Sequence, residues 1–530
     1  MHRLRLFFLL GVFFILFGTL GAQLYHLQVT KEEYYVEKVE ALEERNAESL
    51  SRRGEIFITD RNGNKIPVAL NKNFPMLYAV PREIENPEET AEKLAPIIGW
   101  EKEELQEAIG NSSSLFRLLL ERAEESVIQE VEKAGVKGIK KGTRQARVYP
   151  FRALAAHVLG FVGINEKYDV PRGLYGIEKK EEKNLWRAEG VELTLDRNIQ
   201  ARSEEILSGL METFNAKGGT IIVAEPSSGK ILAMASEPTF EPNLYGKFPV
   251  ENFINPATQS VYEPGSVMKP LTMVAGIDTG VITPETTYYD SGSVTLNEET
   301  IRNWDLKAHG KMSMKNVIEE SINTGAVFAA QKTGKKNFVE YLKKFGFGKT
   351  TGIDLPDEVA GTISNVERKN SQDIDIATAS FGQGISLTPI ELISAFGSIA
   401  NGGRLMRPYV NAASSPHAVR EVMKKETAVA VTAMMESAVN KAAVASLPKH
   451  RIAGKTGTAE IADLQRGGYR EAFNHTYVGF GPVSNPRFVA LLKLEEPEAI
   501  LAGATVVPAF RELASFIISY YNIPPDKNIE

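Results

Sequence analysis

The sequence predicts an α+β protein hung on a single amino-terminal transmembrane helix, and three observations carry that expectation. An uncharged run over residues 6–25 follows Arg3 and Arg5. Strand-like segments stand at both ends of the second half of the chain, with helical spacing between them. The composition, 43% hydrophobic and 24% charged over 530 residues, allows a large buried core and more than one domain. A net charge of -6 without a sustained Lys/Arg block leaves no electrostatic footprint for nucleic acid. There is no cysteine, and the seven histidines form no His-x-x-x-His pair, so neither a zinc site nor a thiol nucleophile is expected. Covalent chemistry must come from oxygen or nitrogen, without metal or cofactor.

The apolar run is long enough, at 1.5 Å per residue, to cross roughly 30 Å of hydrocarbon. Basic residues on its short leading side place the amino terminus in the cytoplasm. A cleaved signal peptide is the alternative; the length of the run and the lack of a small-x-small site argue against it. Residues 1–28 are therefore expected to be a cytoplasmic stub and anchor, with the remainder outside the cytoplasm.

Residues 29–190 read as a first α/β domain. "GEIFITDRNGNKIPVAL" is a hairpin whose turn holds Asp60, Arg61, Asn62 and Gly63. Asn86, Pro87 and Glu88 read as a helix start, and "LFRLLLERAEESVIQEVEKAG" as helical spacing closed by a glycine. No catalytic constellation lies here.

Residues 191–530 open with "VELTLDRNIQARSEEILSGL", a strand leading into a helix. "GTIIVAEPSSGKILAMAS" gives two antiparallel strands around a turn, and "RIAGKTGTAE", "HTYVGFGPV" and "RFVALLKLEE" give three more before a final helix over about 506–521. A mostly helical middle, about 266–435, separates them. The expectation is one five-stranded antiparallel sheet completed by both ends of the domain and flanked by helices.

Within "YEPGSVMKP", Pro264 and Gly265 break the extended chain, so Ser266 falls at a helix start with Lys269 three residues on, on the same face. Free amides at that end favour negative charge on the serine oxygen. A neutral amine takes the hydroxyl proton if burial or a second cation lowers its pKa. Pro270 is tolerable only in a first turn. Ser-x-x-Lys alone reads as well as a capped helix with a solvated lysine. It also occurs at Ser227 and Lys230, in a predicted turn, and at Ser446 and Lys449, interrupted by a proline. Two further elements select Ser266. "EESINTG" offers Ser321 and Asn323 between helical stretches. "GKTGTAE" offers Lys455, Thr456, Gly457 and Thr458 on a strand whose edge can pair with a peptide. The second Lys-Thr-Gly, at Lys332, reads as a helix end with a glycine cap.

Serine-x-x-lysine at a helix start, Ser-x-Asn between helices and Lys-Thr-Gly on a strand is the set that penicillin-binding proteins and β-lactamases share. With "RRGEIFITDRNG", "GLYGIE" and "TYVGFGPVSNP", the chain resembles a class B penicillin-binding protein over nearly its whole length. "LKKFGFGKTTGIDLPDE", "FGQGISLTPIELISAFGSIANGG" and Asn323 look most like the division-type, FtsI-like branch; the elongation branch is the alternative. The resemblance makes residues 29–190 an elongated pedestal, or dimerisation-like, domain and 191–530 a transpeptidase domain. It implies a peptidoglycan D,D-transpeptidase of septal wall synthesis, single-pass in a bacterial cell membrane, with most of the chain outside.

By the same resemblance Ser266 would attack the penultimate D-alanine carbonyl of a stem peptide, with Lys269 as base. The backbone N–H groups of Ser266 and Thr458 would form the oxyanion hole. Ser321 would relay a proton to the departing D-alanine, and Asn323 would hold the substrate amide and orient Lys269. Lys455, Thr456 and Thr458, with Gly457 between them, would receive the terminal carboxylate. An amine from a neighbouring strand completes the cross-link, and β-lactams would be trapped on Ser266. No glycosyltransferase domain is visible, so a polytopic SEDS-type glycosyltransferase and other division proteins are the implied partners. A hydrolase is the rival enzyme. A β-lactam sensor needs a cytoplasmic output, for which about five leading residues leave no room, and a scaffold does not need the triad.

Overall fold

The computed structural model describes residues 2–26, 53–111, 114–165, 168–463 and 467–527. The apolar run forms the helix His2–Tyr25, whose side chains over residues 10–26 are exposed. Among the described residues no helix is long and apolar enough to cross a membrane. The side chains of Arg3 and of residues 6–9, on which the expected span also depends, lie outside the described residues, as does the whole of 27–52.

In the pedestal the predicted hairpin pairs Ile56–Thr59 with the start of the long strand Lys65–Ala79. Asp60 Oδ1 accepts the N–H groups of Asn62 and Asn64 at 2.8 and 3.0 Å, which closes the turn through a side chain. The far half of the long strand pairs with Ile139–Val148 and Arg117–Leu120. Here the sequence reading needs correction: the helical spacing expected from residue 115 onwards holds only for Glu125–Ala134, and Arg117–Leu120 is a strand. A short apolar run serves either structure, and an open strand edge decided it. Asn86 caps Pro87–Ile98 as expected, accepting the Glu89 N–H at 3.2 Å. The helices of this lobe bury Leu94, Leu105 and Ile128 in a core of their own.

The strand Val191–Asp196 pairs in parallel with Ile56–Thr59, so the second half of the chain begins inside the pedestal sheet. Asp196 then caps the helix Arg197–Phe214 by accepting the N–H groups of Asn198 and Ile199. A cluster of rings joins the two parts: Phe161 stacks on Tyr245 at 4.3 Å and meets Phe240 and Phe253 edge-on.

Beyond that junction lies the expected five-stranded sheet, in the order Ala453–Ala462, Tyr469–Gly481, Phe488–Glu495, Gly218–Ala224, Ile231–Glu237, with every neighbouring pair antiparallel. Its third strand shows why the sequence there reads as almost continuously apolar. Val489 and Leu491 face the core shared with the helical middle, whereas Ala490, Leu492 and Leu494 pack with the final helix, Val506–Tyr520. The middle is less helical than its spacing suggested. Two small ribbons interrupt it, Thr287–Asp290 with Gly310–Ser313 and Ser293–Leu296 with Glu299–Arg302. The second turns at Asn297 and Glu298, both with positive φ, a two-residue hairpin whose Asn was the available signal.

Candidate active site

Ser266 lies in a single 3-10 turn, Gly265–Met268, which runs into the α-helix Lys269–Asp278 with Pro270 in its first turn. Residues three apart eclipse in a 3-10 turn, which brings the two side chains together. Lys269 Nζ stands 2.9 Å from Ser266 Oγ. A pair of glycines sets the turn against its surroundings. Gly265, at φ 61°, donates its N–H to the Gly382 carbonyl at 3.0 Å, and Gly382 itself has φ 85°. A Cβ at 382 would lie 2.2 Å from the Gly265 oxygen. One at 265 would lie 2.8 Å from Ala459 Cβ on the edge strand.

Ser321 closes the helix Met314–Glu320 in the left-handed conformation, φ 59°, with its N–H on the Val317 carbonyl. That bend carries its side chain between two lysines. Lys269 Nζ donates to the Ser321 carbonyl at 2.5 Å and lies 3.1 Å from its Oγ; Lys455 Nζ donates to the same Oγ at 2.9 Å. Lys455 comes from Ala453–Ala462, which has a strand neighbour on one side only among the described residues. Gly457 lets that edge strand lie against the turn that carries Ser266: a Cβ there would come within 3.0 Å of the Pro264 carbonyl.

Both lysines are buried, Lys269 completely and Lys455 with 4% exposed, and among the described residues no carboxylate is bonded to either. Burial pushes Lys269 well below the ordinary lysine range, and the neighbouring Lys455 pushes it further the same way. Burial brings Lys455 down to about 7. A neutral Lys269 has two N–H groups for Ser321 and a lone pair left for the Ser266 proton.

The remaining expected residues are less tightly gathered. Lys455 Nζ also bonds the Thr456 carbonyl at 2.9 Å and reaches its hydroxyl at 3.3 Å. Thr458 Oγ1 accepts the Ala502 N–H at 3.3 Å. Asn323 begins the helix Asn323–Thr333, and its Nδ2 donates to the Arg302 carbonyl at 2.9 Å; the side chains bonded to Lys269 are those of Ser266 and Ser321. The competing motifs stay apart. Ser227 and Lys230 occupy the turn between two sheet strands, Lys449 lies outside any helix, and Lys332 sits at a helix end capped by Gly334.

Sequence reasoning missed Glu263. Its carboxylate accepts the Gly384 N–H and the Tyr469 hydroxyl, each at 3.0 Å, and so ties the nucleophile segment to a loop and to the second sheet strand. It also missed the role of Gly382, for which the paired glycines of "FGQG" were the available signal. Two small clefts lie elsewhere, beside His157 and Thr258 at the pedestal junction and beside Pro226 and Met406; neither includes Ser266.

Residues 219–515 match the penicillin binding protein transpeptidase domain, and residues 48–229 match the penicillin-binding protein dimerisation domain. The chain is 28% identical to Stage V sporulation protein D of Bacillus subtilis over 99% of its own length and 87% of the relative's. It is 26% identical to a peptidoglycan D,D-transpeptidase FtsI homolog of Mesostigma viride, covering 97% and 95% of the two chains. The crystal structure of penicillin binding protein 2X from Streptococcus thermophilus superposes with a TM-score of 0.72 at 22% identity, over 89% of this chain and 80% of that one, and so shares its fold. With Ser266, Ser321 and two buried lysines gathered on a domain of this family behind a dimerisation domain, the chain belongs to the penicillin-binding proteins, in their class B.

Proposed function

We propose that the protein is a peptidoglycan D,D-transpeptidase that cross-links stem peptides through an acyl-enzyme on Ser266. The observation that carries this reading is the placement of Ser321 Oγ between two buried amines, one of which reaches Ser266. Lys269, neutral, takes the Ser266 proton as the serine oxygen bonds to the penultimate D-alanine carbonyl. The backbone N–H groups of Ser266 and Thr458 hold the resulting oxyanion. Ser321 accepts from both lysines, which leaves its own proton free for the departing D-alanine amine; Lys269 returns a proton to Ser321. Lys455, Thr456 and Thr458 receive the terminal carboxylate, and Asn323 the substrate amide. An acceptor amine then attacks the ester, the reverse relay delivers a proton to Ser266, and the cross-link is released.

The apolar helix His2–Tyr25 with Arg3 and Arg5 supports a single-pass anchor with a cytoplasmic amino terminus, a pedestal over about 29–190 and a transpeptidase domain from 191 onwards. We assign the protein to septal wall synthesis alongside a SEDS-type glycosyltransferase, on the segments around Asn323 and Gly382. The match to Stage V sporulation protein D over nearly the whole chain favours a second reading, a role in sporulation. Labelling with a fluorescent penicillin, followed by mapping of the labelled peptide, tests the chemistry. The label is expected on Ser266; a label on Ser227 or Ser446, or none, rules the mechanism out. Depletion is expected to give filaments, whereas normal division with failed sporulation selects the second reading.

A further inference from the structure

The segment after the last sheet strand reaches back to the edge strand. Ala502–Ala504 forms one 3-10 turn ahead of the final helix, and its Ala502 N–H donates to Thr458 Oγ1 at 3.3 Å. A hydroxyl oxygen that accepts from a fixed amide keeps its own proton for a ligand. The other side of the turn is tied as well. Thr505 Oγ1 donates to the Ala502 carbonyl at 3.4 Å and stands 2.9 Å from His475 Nδ1. With the hydroxyl proton on Ala502, the bond to the ring needs the hydrogen on Nδ1, and Nε2 is left as a bare nitrogen.

His475 fits that state. It is completely buried, which disfavours a second ring proton. Burial accordingly pushes His475 down to about 4, against an upward pull from the Ile500 backbone. His475 is also the cross-strand neighbour of Thr458, so the edge strand and the turn are fastened to one ring.

We propose that His475 and Thr505 are positioning residues for carboxylate recognition: they fix the Ala502 turn so that the Thr458 hydroxyl presents its proton to the terminal carboxylate of the donor peptide. The proposal rests on the reading of Thr458 given above. Neither residue touches the substrate. Each acts through a hydrogen bond that holds the next group in place, and the last link is a donor facing an anion.

The test compares second-order acylation by benzylpenicillin and by its methyl ester, using the full chain, with circular dichroism to confirm folding. Thr505→Val is expected to lower the preference for the free carboxylate about tenfold, the scale of one hydrogen bond, and Thr505→Ser to restore it. His475→Leu is expected to lower it likewise. Distortion of the fold slows both probes together, so an unchanged preference in folded Thr505→Val overturns the proposal. Thr458→Val separates the two readings. If it lowers the preference and Thr505→Val does not, the positioning role alone fails; if Thr458→Val leaves the preference intact, the carboxylate role of Thr458 fails, and the proposal with it.

Discussion

Two buried charge clusters, one in the pedestal and one in the active site, are built on opposite principles. In the pedestal Glu178 is completely buried between two guanidiniums: Arg53 and Arg147 each donate Nε to its carboxylate at 2.7 Å, and Arg53 also reaches Glu182 at 2.8 Å. Burial pushes the Glu178 carboxyl up, but the two arginines outweigh it and hold it below its ordinary value; burial lowers Arg53 and its carboxylates more than restore it. In the active site two amines share one serine, without a carboxylate partner. Paired opposite charges stay charged and hold the fold. Paired like charges are driven towards neutrality, and a neutral lysine is a base.

The difference has a sign that pH can read. Glu178, with its pKa depressed on folding, contributes stability that is present above the unfolded value near 4.5 and is lost as pH falls through the folded value. Lys269 and Lys455 work against folding. Between their depressed values and the ordinary 10.5 the unfolded chain holds more protons, so stability rises with pH across that window and neutral pH carries the penalty.

The largest expected effect comes from breaking the active-site cluster. Lys269→Met should slow penicillin acylation by about 10²–10⁴-fold, the range for losing a positioned proton acceptor. It should also raise the thermal unfolding midpoint at neutral pH, because a buried amine is replaced by an apolar chain of similar length. Normal acylation in the folded variant would show that the base is another group. A lowered midpoint would show that the amine is not held against its own stability.

Breaking the pedestal cluster should do the reverse. Glu178→Gln takes the shared carboxylate from two buried guanidiniums, of which Arg53 keeps Glu182, and should reduce the unfolding free energy by about 3–5 kcal/mol. Acylation per folded molecule should stay within a few-fold of the parent. Urea unfolding at several pH values sharpens the comparison: the deficit should shrink as pH falls through the Glu178 pKa, where the parent has lost its own charge. A deficit independent of pH assigns the effect to packing instead.

The smallest effects should come from lysines that share a motif but not a setting. Lys230→Ala, Lys332→Ala and Lys449→Ala should each leave acylation within a few-fold of the parent. Lys332 makes a cation–π contact with Phe328 at 5.5 Å. A hundredfold loss at any of the three means that the chosen serine and lysine are the wrong pair.

What could be read from the sequence divides along the same line. The active-site groups were legible because each sits at a punctuated position: Ser266 after Pro264 and Gly265, Ser321 between two helical runs, Lys455 on a strand beside glycines. The five-stranded sheet was legible because both its faces are covered, which gives continuous apolar runs. The Arg53–Glu178 pair was not legible, since its partners lie 125 positions apart and only the fold brings them together. Arg117–Leu120 reads as helix in the sequence because four residues carry no period of their own. Thr505 and His475 gave no signal, because a residue that works through another leaves no motif of its own.

The glycine pair at 265 and 382 bears on how such a protein can change over generations. Its two backbones meet with no room for a side-chain carbon on either, and both positions require a conformation that other residues adopt only with strain. A lineage in which the Ser266 turn must keep its seat therefore has few viable single steps at these two positions. Inherited change around this turn is expected instead in residues such as Glu263 and Tyr469, which hold its segment from outside.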